Sequence, residues 1–310
     1  MNNMRVLVTG SQGFAGRHLA VELRRAGAAM SAFDLAEPGK EPAESEYYRG
    51  DIRDRGQIDE AVRRLAPEAC IHLGGLAFVP EGWKNAARLI EVNCGGTINL
   101  LEALRRHAPS AAILVVSSAE VYGHAAGPQP ADESTPLLPA NPYAVSKAAA
   151  DNIAILYARQ YSMRVMVARP SNHIGPGQSP GFAVPAFAAQ LAAIAAGKAP
   201  PVVRVGNLEC KRDFTDVRDV ARAYRMLIER GRGGEVYNIA SGREISLRFV
   251  LETLCAIFKV SPGIEIAPGL FRPPEARPAI STAKIAKEIG WKPEIDIMRT
   301  LRDVAAAQSA

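Results

Sequence analysis

The chain has 310 residues, of which 48% are apolar and 22% are charged, and its formal net charge is +5. This composition is that of a folded, water-soluble protein with enough apolar residues for one large domain or two smaller ones. Lysine and arginine are scattered along the chain, so we expect no nucleic-acid partner.

Three further observations narrow the class of protein. The N-terminus lacks a secretory signal, and the Ala-rich run 183–197 is too short and too interrupted to cross a bilayer, so we expect no membrane contact. Four cysteines without a CxxC pair predict a reduced, cytoplasmic protein. The five histidines show no metal-ligand spacing, and we interpret His72, which ends an apolar run, as a core histidine.

Short β-branched runs alternate with longer amphipathic runs through the first half of the chain. The predicted strands are 5–9, 30–34, 69–73, 111–116 and 163–169. The predicted helices are 14–27, 58–65, 86–107 and 142–161. This alternation, with continuous apolar strands, predicts an α/β fold: a Rossmann-type doubly wound parallel sheet with helices on both faces.

The pattern changes after residue 170, where a loop rich in glycine and proline is followed by mixed elements. We expect residues 1–170 to form a Rossmann domain, to which the chain returns around 215–242. Residues 171–310 are expected to form mainly a smaller domain. Ligands bind at the carboxyl ends of the strands in such sheets, so residues that follow strands are the candidates for function.

A glycine loop joins the first strand to the first helix. The segment TGSQGFAG places Gly10, Gly13 and Gly16 at three-residue steps. Glycines let the chain turn sharply and approach a diphosphate, and the helix N-terminus offers free N–H groups and a positive dipole end. The spacing is GxxGxxG rather than GxGxxG, and a simple tight turn is the alternative interpretation. Its place in the first βα unit favours dinucleotide binding.

Two acidic residues follow the next strands. Asp34 ends the second strand, where a carboxylate can accept hydrogen bonds from the adenosine ribose and repel a 2′-phosphate. This position favours NAD(H), with NADP(H) as the alternative. Asp51, after the third strand, is a candidate partner for the adenine amino group.

The segment YAVSK places Tyr143 and Lys147 four residues apart, on one face of a helix. A free tyrosine has a pKa of about 10, and a nearby ammonium lowers it toward neutral pH. The pair therefore predicts acid–base chemistry when it is combined with the glycine loop and with SSAEVYG, whose hydroxyls follow a buried strand.

These motifs identify a family. The segments GSQGFAG, NCGGT, SSAEVYG, NPYAVSK and RDFTDVRDV resemble those of the extended short-chain dehydrogenase/reductases that act on nucleotide sugars. The resemblance covers nearly the whole chain. It implies an NAD-binding first domain and a nucleotide-sugar-binding second domain.

The resemblance also implies which residues bind the cofactor and which react. Ser118, Tyr143 and Lys147 would be catalytic. Lys147 would hold the nicotinamide ribose and lower the pKa of Tyr143. The implied cofactor-binding residues are Gly10, Gln12, Gly13, Phe14, Ala15, Gly16, Asp34, Asp51, Ile52, Leu73, Gly74, Gly75, Asn93, Ser117, Tyr143, Lys147 and Pro170.

The substrate half is most similar to reductases of GDP-4-dehydro-6-deoxy-D-mannose, through NHIGPGQSPGF, VGNLECKRDFTDVRD and RPPE. The implied reaction reduces the C4 ketone to give GDP-D-rhamnose, with Tyr143 as the proton donor and Ser118 on the C4 oxygen. Asn172, Arg212, Arg272 and Glu275 would bind the GDP-sugar, because arginine pairs phosphate oxygens bidentately.

Three alternatives use the same scaffold. A 4,6-dehydratase needs an acid and a base beside the serine; here the pair is Ala119-Glu120, which lacks the acid, although the GDP-mannose dehydratases lack it too. A 4-epimerase would retain tightly bound NAD. A non-catalytic NAD-binding regulator is disfavoured because Ser118, Tyr143 and Lys147 are all present. The resemblance further implies a homodimer that pairs the helices near 84–107 and 142–161.

Overall fold

Strands and helices alternate through most of the chain. The computed structural model describes residues 1, 3–38, 46–77, 82–125, 129–271 and 277–308. Its strands are β1 (Arg5–Thr9), β2 (Ala29–Asp34), β3 (Glu46–Arg49), β4 (Ala69–His72), β5 (Ala112–Val116), β6 (Val165–Pro170), β7 (Asn172–Ile174), β8 (Val202–Val205), β9 (Lys211–Asp216), β10 (Val236–Ile239), β11 (Glu244–Ser246) and β12 (Gly263–Ile266). Its helices are α1 (Phe14–Arg25), α2 (Arg55–Leu65), α3 (Ala86–Leu89), α4 (Gly96–His107), α5 (Pro142–Tyr161), α6 (Ala183–Ala195), α7 (Val217–Arg230), α8 (Leu247–Phe258), α9 (Ala283–Ile289) and α10 (Ile297–Ala306).

The helix predicted at 86–107 is not uniform. A π-helical turn, Ile90–Gly95, joins α3 to α4. Such turns insert an extra residue into a helix and are frequent at functional sites. Short 3₁₀ turns cover Ala119–Tyr122 and Pro268–Leu270. The helix predicted at 58–65 begins earlier, at Arg55, because the Asp54 carboxylate caps it by accepting hydrogen bonds from two backbone N–H groups.

The central sheet is parallel. Among the described residues it has seven strands in the order β3-β2-β1-β4-β5-β6-β10. The strand order reverses between β1 and β4, which is the switch point where dinucleotides bind in this architecture. The predicted Rossmann-type doubly wound fold is therefore confirmed.

Apolar residues on both faces of the sheet explain why it is covered on both sides. Along β1, Val6 and Val8 pack into one cluster with helices α1 and α7, whereas Leu7 packs into another with α2, α4 and α5. Successive strand residues point to opposite faces, so a continuous apolar strand needs helices on each. The carboxyl ends of β1, β2, β4, β5 and β6 then meet at one edge, which carries the polar residues.

The second half of the chain builds a smaller unit. A three-stranded sheet, β11-β9-β7, and a two-stranded sheet, β12-β8, surround a separate apolar cluster from α6, α8 and α10. Strand β7 starts two residues after β6 ends, so this unit begins at the carboxyl edge of the central sheet. Helix α7 and strand β10 pack with the larger sheet. These contacts support the predicted division at residue 170 with a return at 215–242, which remains a proposal.

Candidate active site

The glycine loop is packed tightly against the loop after β4. Gly10 has φ of +72°, and a Cβ there would lie 2.8 Å from the Gly74 nitrogen. A Cβ on Gly16 would lie 2.4 Å from the Gly10 carbonyl oxygen. Only glycine fits either position without moving backbone. Helix α1 begins after Gly13, and among the described residues no side chain caps its first turn. Its N-terminal amides thus remain directed at the loop.

Asp34 supports the glycine loop directly. Its carboxylate accepts a hydrogen bond from the Gln12 backbone N–H at 2.9 Å and another from the Ala36 N–H at 3.0 Å. The residue lies at the end of β2, beside the loop, as predicted. Phe14 and Ala15, which were also predicted to contact the cofactor, are the first two residues of α1. The Phe14 ring stacks on the His173 ring, with centroids 6.0 Å apart.

Asp51 and Ile52, the predicted adenine contacts, have protein partners. The Arg53 guanidinium donates hydrogen bonds to both Asp51 carboxylate oxygens, the shortest of them 2.6 Å long. These hydrogen bonds hold the pKa of the Asp51 carboxyl below its usual value. Ile52 is buried against α4, and its carbonyl accepts from the Asn99 amide at 3.1 Å. Neither side chain is free of other contacts, so their adenine roles remain predictions.

A buried hydrogen-bonded relay links the ends of β1 and β4 with helix α4. The Gly74 N–H donates to Thr9 Oγ1 (3.1 Å), and Thr9 Oγ1 lies 2.6 Å from His72 Nδ1. His72 Nε2 lies 3.1 Å from Thr97 Oγ1, which itself donates to the Asn93 carbonyl at 2.6 Å. Since the Thr97 proton is committed to Asn93, Nε2 must carry the His72 proton and Nδ1 must accept from Thr9. Burial lowers the pKa of His72 to about 3, so the ring is neutral.

Asn93 extends this relay to helix α5. It lies in the π-helical turn and exchanges two hydrogen bonds with the Leu76 backbone, at 2.8 and 3.0 Å. Its amide also donates to Ser146 Oγ at 2.9 Å, and Ser146 donates to the Tyr143 carbonyl at 2.7 Å. The interpretation of His72 as a core histidine agrees with this arrangement. The sequence did not indicate that the contacts of His72, extended through Asn93, connect the glycine loop with α5.

Ser118, Tyr143 and Lys147 meet at the end of β5. Ser118 starts the 3₁₀ turn after that strand, and Tyr143 and Lys147 lie one helical turn apart in α5. The Ser118 hydroxyl lies close enough to the Tyr143 phenol to lower its pKa, and each residue is 8% exposed. The Lys147 ammonium donates to the Val116 carbonyl at 2.8 Å, and Ser117 Oγ donates to the Lys147 carbonyl at 3.4 Å. The fold therefore brings the three predicted catalytic residues together.

The electrostatics of this group differ from the expected ones. Burial raises the pKa of Tyr143 above its ordinary value, and the Ser118 hydrogen bond only partly offsets this. Burial lowers the pKa of Lys147 to about 8, against the opposing charge of Asp151. The predicted net lowering of the Tyr143 pKa is therefore not found, because desolvation dominates. A protonated phenol suits a proton donor.

Asp151 belongs to a buried ion pair that anchors α5. Arg169, in β6, contacts both of its carboxylate oxygens, at 2.7 and 3.1 Å, and their side chains are 6% and 1% exposed. Arg169 also donates to the Tyr122 hydroxyl at 2.9 Å, and Tyr122 donates to Asn238 at 2.7 Å. The turn that carries Ser118 is therefore tied to β6 and β10.

A cleft opens beside Ser118, between the central sheet and the smaller unit. Of the predicted substrate residues, Ser118, Asn172 and Arg212 line it, together with Pro170, which was predicted to contact the cofactor. Arg272 and Glu275 lie outside the described residues. The lining residues that sequence reasoning did not predict include Glu120, His124, Asn141, Lys211, Asp213, Glu244 and Arg277.

Glu120 is paired within this cleft. Its Oε1 forms an ion pair with Arg277, and Asn141 Nδ2 lies 3.5 Å from its Oε2. Burial lowers the pKa of Arg277. Nothing in the sequence around Arg277 indicated this contact, because the two residues meet only when the C-terminal unit folds over the carboxyl edge. Across the described part of the chain, no cluster of His, Cys, Asp and Glu could hold a metal ion, and no helix is long and apolar enough to span a membrane.

Comparisons with known proteins agree with this geometry. The family model described as GDP-mannose 4,6 dehydratase matches residues 7–304. A GDP-6-deoxy-D-mannose reductase from Pseudomonas aeruginosa is 37% identical over 97% of this chain and 95% of its own. The structure of RMD from Pseudomonas aeruginosa complexed with NADPH is 36% identical, with a TM-score of 0.87 and 99% of each chain covered.

A third relative shows how widely the scaffold is shared. The UDP-glucose 4-epimerase of Thermus thermophilus, in complex with NAD, is 28% identical, with a TM-score of 0.87 over 98% of this chain and 99% of its own. The match in fold extends across proteins named for different reactions. The matched length and the glycine loop, Ser118 and YAVSK motifs assign this chain to the GDP-mannose 4,6 dehydratase family, one of the extended short-chain dehydrogenase/reductases that act on nucleotide sugars.

Proposed function

We propose that this chain is an NAD(P)H-dependent reductase that converts the C4 ketone of GDP-4-dehydro-6-deoxy-D-mannose to an alcohol and so forms GDP-D-rhamnose. The observation that carries the proposal is the placement of Ser118, which lines the cleft, next to Tyr143, which lies one turn before Lys147 in α5. The relative of 37% identity, named GDP-6-deoxy-D-mannose reductase, supports the choice of substrate.

The residues around the glycine loop fit a dinucleotide. Gly10 and Gly16 leave no room for a Cβ, and the uncapped first turn of α1 points amides at the loop, where a diphosphate would bind. Asp34, at the end of β2, would hold the adenosine ribose, and Lys147 and Ser117, at the end of β5, would contact the nicotinamide end. When bound, the reduced nicotinamide supplies the hydride. The Pseudomonas aeruginosa and Thermus thermophilus structures hold NADPH and NAD respectively, which supports NAD(P)H here.

Ser118 and Tyr143 would act on the C4 oxygen of the sugar. Both hydroxyls can donate to that oxygen, so they stabilise the negative charge that develops as the ketone is reduced. Tyr143 would then transfer its proton to the oxygen. Burial raises the pKa of Tyr143, so the phenol is protonated at neutral pH and has a proton to donate. Lys147, held by the Val116 carbonyl, places a positive charge near the phenolate that remains.

The cleft residues would bind the nucleotide diphosphate. Asn172 and Arg212 line the cleft together with Lys211, so two cations face the space next to the reacting centre. A guanidinium can pair two phosphate oxygens at once, whereas the ammonium adds a point charge. Arg272 and Glu275 are proposed for the same role on the resemblance alone.

A second candidate is 4,6-dehydration, favoured by the description of the matching family model and by the presence of Glu120. Removal of water across C5–C6 needs a base near the reacting carbons. Glu120 is at the right place in the cleft, but it is engaged in an ion pair with Arg277. Reduction needs no such base, so it is the reaction that the described residues support better.

One assay separates the candidates. The purified protein is supplied with GDP-4-dehydro-6-deoxy-D-mannose and either NADH or NADPH, and the product is identified by NMR. Oxidation of the nicotinamide with formation of GDP-D-rhamnose supports the proposal; no oxidation of either cofactor contradicts it. Formation of the 6-deoxytalose epimer would also show that the protein reduces the C4 ketone, but with hydride delivered to the opposite face. Conversion of GDP-mannose without added reductant would favour dehydration.

We also propose that the enzyme is a cytoplasmic homodimer. Apolar side chains are exposed on α5, among them Val145 (44%) and Leu156 (55%), and Ile90 (40%) is exposed on the π-helical turn between α3 and α4. Burial of such a surface against a second copy would stabilise a dimer. All four cysteines are free, which agrees with a reducing compartment. Light scattering of the purified protein at micromolar concentration tests the dimer, and a monomer mass would refute it.

A further inference from the structure

The pair formed by Glu120 and Arg277 has no role in the reduction described above. Glu120 lies two residues after Ser118, in the 3₁₀ turn, and its backbone N–H donates to Ser118 Oγ at 3.2 Å. Its side chain is 15% exposed and that of Arg277 is 27% exposed. Both line the cleft that contains Ser118. A carboxylate is therefore held next to the hydroxyl that would contact the ketone oxygen.

A free carboxylate at this place would be chemically active toward a 4-ketosugar. The C–H bonds on the two carbons that flank a ketone are acidic. A carboxylate can take one of these protons; the C–H electron pair then forms the enolate, whose negative oxygen would be stabilised by Ser118 and Tyr143. Return of a proton from solvent restores the ketone. This exchange brings no benefit to a reductase, and it exposes the stereocentre at C5 to inversion.

We propose that Arg277 is a specificity-determining residue that withdraws Glu120 from this chemistry. The guanidinium occupies Oε1, the amide of Asn141 lies 3.5 Å from Oε2, and the adjacent positive charge makes the carboxylate a weaker base. The bound ketone is then reduced before its neighbouring carbons exchange protons. The inference rests on the proposed function, and it names the feature that separates reduction from base-dependent reactions in this cleft.

The location of the pair suits such control. Asn141 is also the N-cap of α5, accepting from the Ala144 N–H at 2.9 Å, so the partner of Oε2 is fixed to the helix that carries Tyr143. Pairing in a half-buried cleft restrains both side chains, and within the described part of the chain loss of the arginine would leave the Glu120 carboxylate with the longer contact to Asn141. The Arg277→Gln variant retains hydrogen-bond donors and removes the charge, so it isolates the electrostatic part.

Deuterium incorporation tests the proposal. GDP-4-dehydro-6-deoxy-D-mannose is incubated in D₂O with the wild-type protein, Arg277→Gln, Arg277→Lys, and the double variant Arg277→Gln/Glu120→Gln. Each sample is divided: one half receives NAD(P)H and the product is examined by NMR; in the other half, without reductant, the ketosugar itself is recovered. We expect Arg277→Gln to exchange at a carbon flanking C4 at least tenfold faster than the wild type, and we expect the double variant and Arg277→Lys to return to the wild-type rate.

The outcomes separate this inference from the proposed function. Equal exchange in the wild type and Arg277→Gln overturns the role of Arg277, and so does fast exchange that persists in the double variant. If Arg277→Gln does not fold, Arg277→Lys is tested in its place. Its exchange rate must then match that of the wild type, and Glu120→Gln must leave the wild-type rate unchanged. Failure of the wild type to oxidise NAD(P)H refutes the reductase proposal and leaves the exchange comparison in the recovered ketosugar intact.

Discussion

The Lys147 ammonium donates a hydrogen bond of 2.8 Å to the carbonyl of Val116, the last residue of β5. The contact joins α5, the helix that carries Tyr143, to the strand that Ser117 and Ser118 follow. Because Lys147 is desolvated there, its pKa falls to about 8. The charge that the mechanism needs is therefore present at neutral pH and is lost just above it.

This predicts an alkaline limit to activity. As the pH rises through about 8, Lys147 loses its proton, the positive charge near the Tyr143 hydroxyl disappears, and kcat/KM falls. The pH dependence of kcat/KM between pH 6 and 10 checks this. The arginine in Lys147→Arg stays charged over this range, so kcat/KM of this variant should not decrease at alkaline pH, even if its absolute value is lower. A wild-type profile that is flat to pH 10 would contradict the assignment.

Removal of the Tyr143 hydroxyl should abolish the proton transfer. We expect Tyr143→Phe to lower kcat/KM for the ketosugar by a factor of about 10² to 10⁴. Ser118→Ala removes one donor to the developing oxyanion and should cost a factor of about 10² to 10³. Steady-state oxidation of NAD(P)H measures both. Ser118→Thr retains a hydroxyl and serves as the matched control; if it were as impaired as Ser118→Ala, the hydrogen-bonding role would be wrong.

The ion pair of Asp151 and Arg169 should matter for stability as well as for the pKa of Lys147. Asp151→Asn leaves Arg169 buried without a counter-charge, so we expect a loss of about 3–5 kcal/mol in the free energy of unfolding. The negative charge of Asp151 raises the pKa of Lys147, so the variant should also move the alkaline limb of kcat/KM to lower pH.

Urea unfolding and the pH profile measure these two effects. Glu60→Gln, which breaks the exposed pair with Arg63, is the control and should cost no more than about 1 kcal/mol. If Asp151→Asn were no more destabilising than Glu60→Gln, the buried pair would not be a major contributor to the fold.

His72 should make stability depend on pH. Its folded pKa of about 3 lies below the ordinary value of 6.5, so the unfolded chain binds more protons between these values. The contribution of a neutral His72 is then complete above about pH 6.5 and is lost as the pH falls toward 3. Urea unfolding of the wild type and of His72→Gln from pH 7.5 to 4.5 checks the sign: the wild type should lose more stability. Parallel curves would show that His72 does not titrate on unfolding.

Asp34 should decide between the two forms of the cofactor. Its carboxylate accepts from the Gln12 and Ala36 N–H groups, and in the proposed contact with the ribose it would repel a 2′-phosphate. We expect NADH to be preferred and Asp34→Asn to shift the ratio of kcat/KM toward NADPH about tenfold, the equivalent of about 1.4 kcal/mol. Initial rates with both cofactors test this, and an unchanged ratio would show that another residue discriminates.

The sequence alone determined the architecture and the three residues proposed for catalysis. Alternation of apolar strands with amphipathic helices is a local pattern, so the parallel sheet could be predicted from it. The spacing of Tyr143 and Lys147 places both on one face of a helix, and Ser118 follows a buried strand. Strands whose carboxyl ends share an edge bring such residues together whatever lies between them along the chain.

Only the tertiary structure decided what surrounds those residues. The relay from Thr9 through His72 to Thr97 crosses 63 and 25 residues of sequence, and Glu120 meets Arg277 from a different unit of the fold. The direction of the Tyr143 pKa shift likewise depended on burial, which outweighs the opposing effect of the Ser118 hydroxyl. Periodicity and spacing are encoded between neighbours in the chain, whereas desolvation and charge pairing depend on which distant side chains the folded backbone brings within a few ångströms.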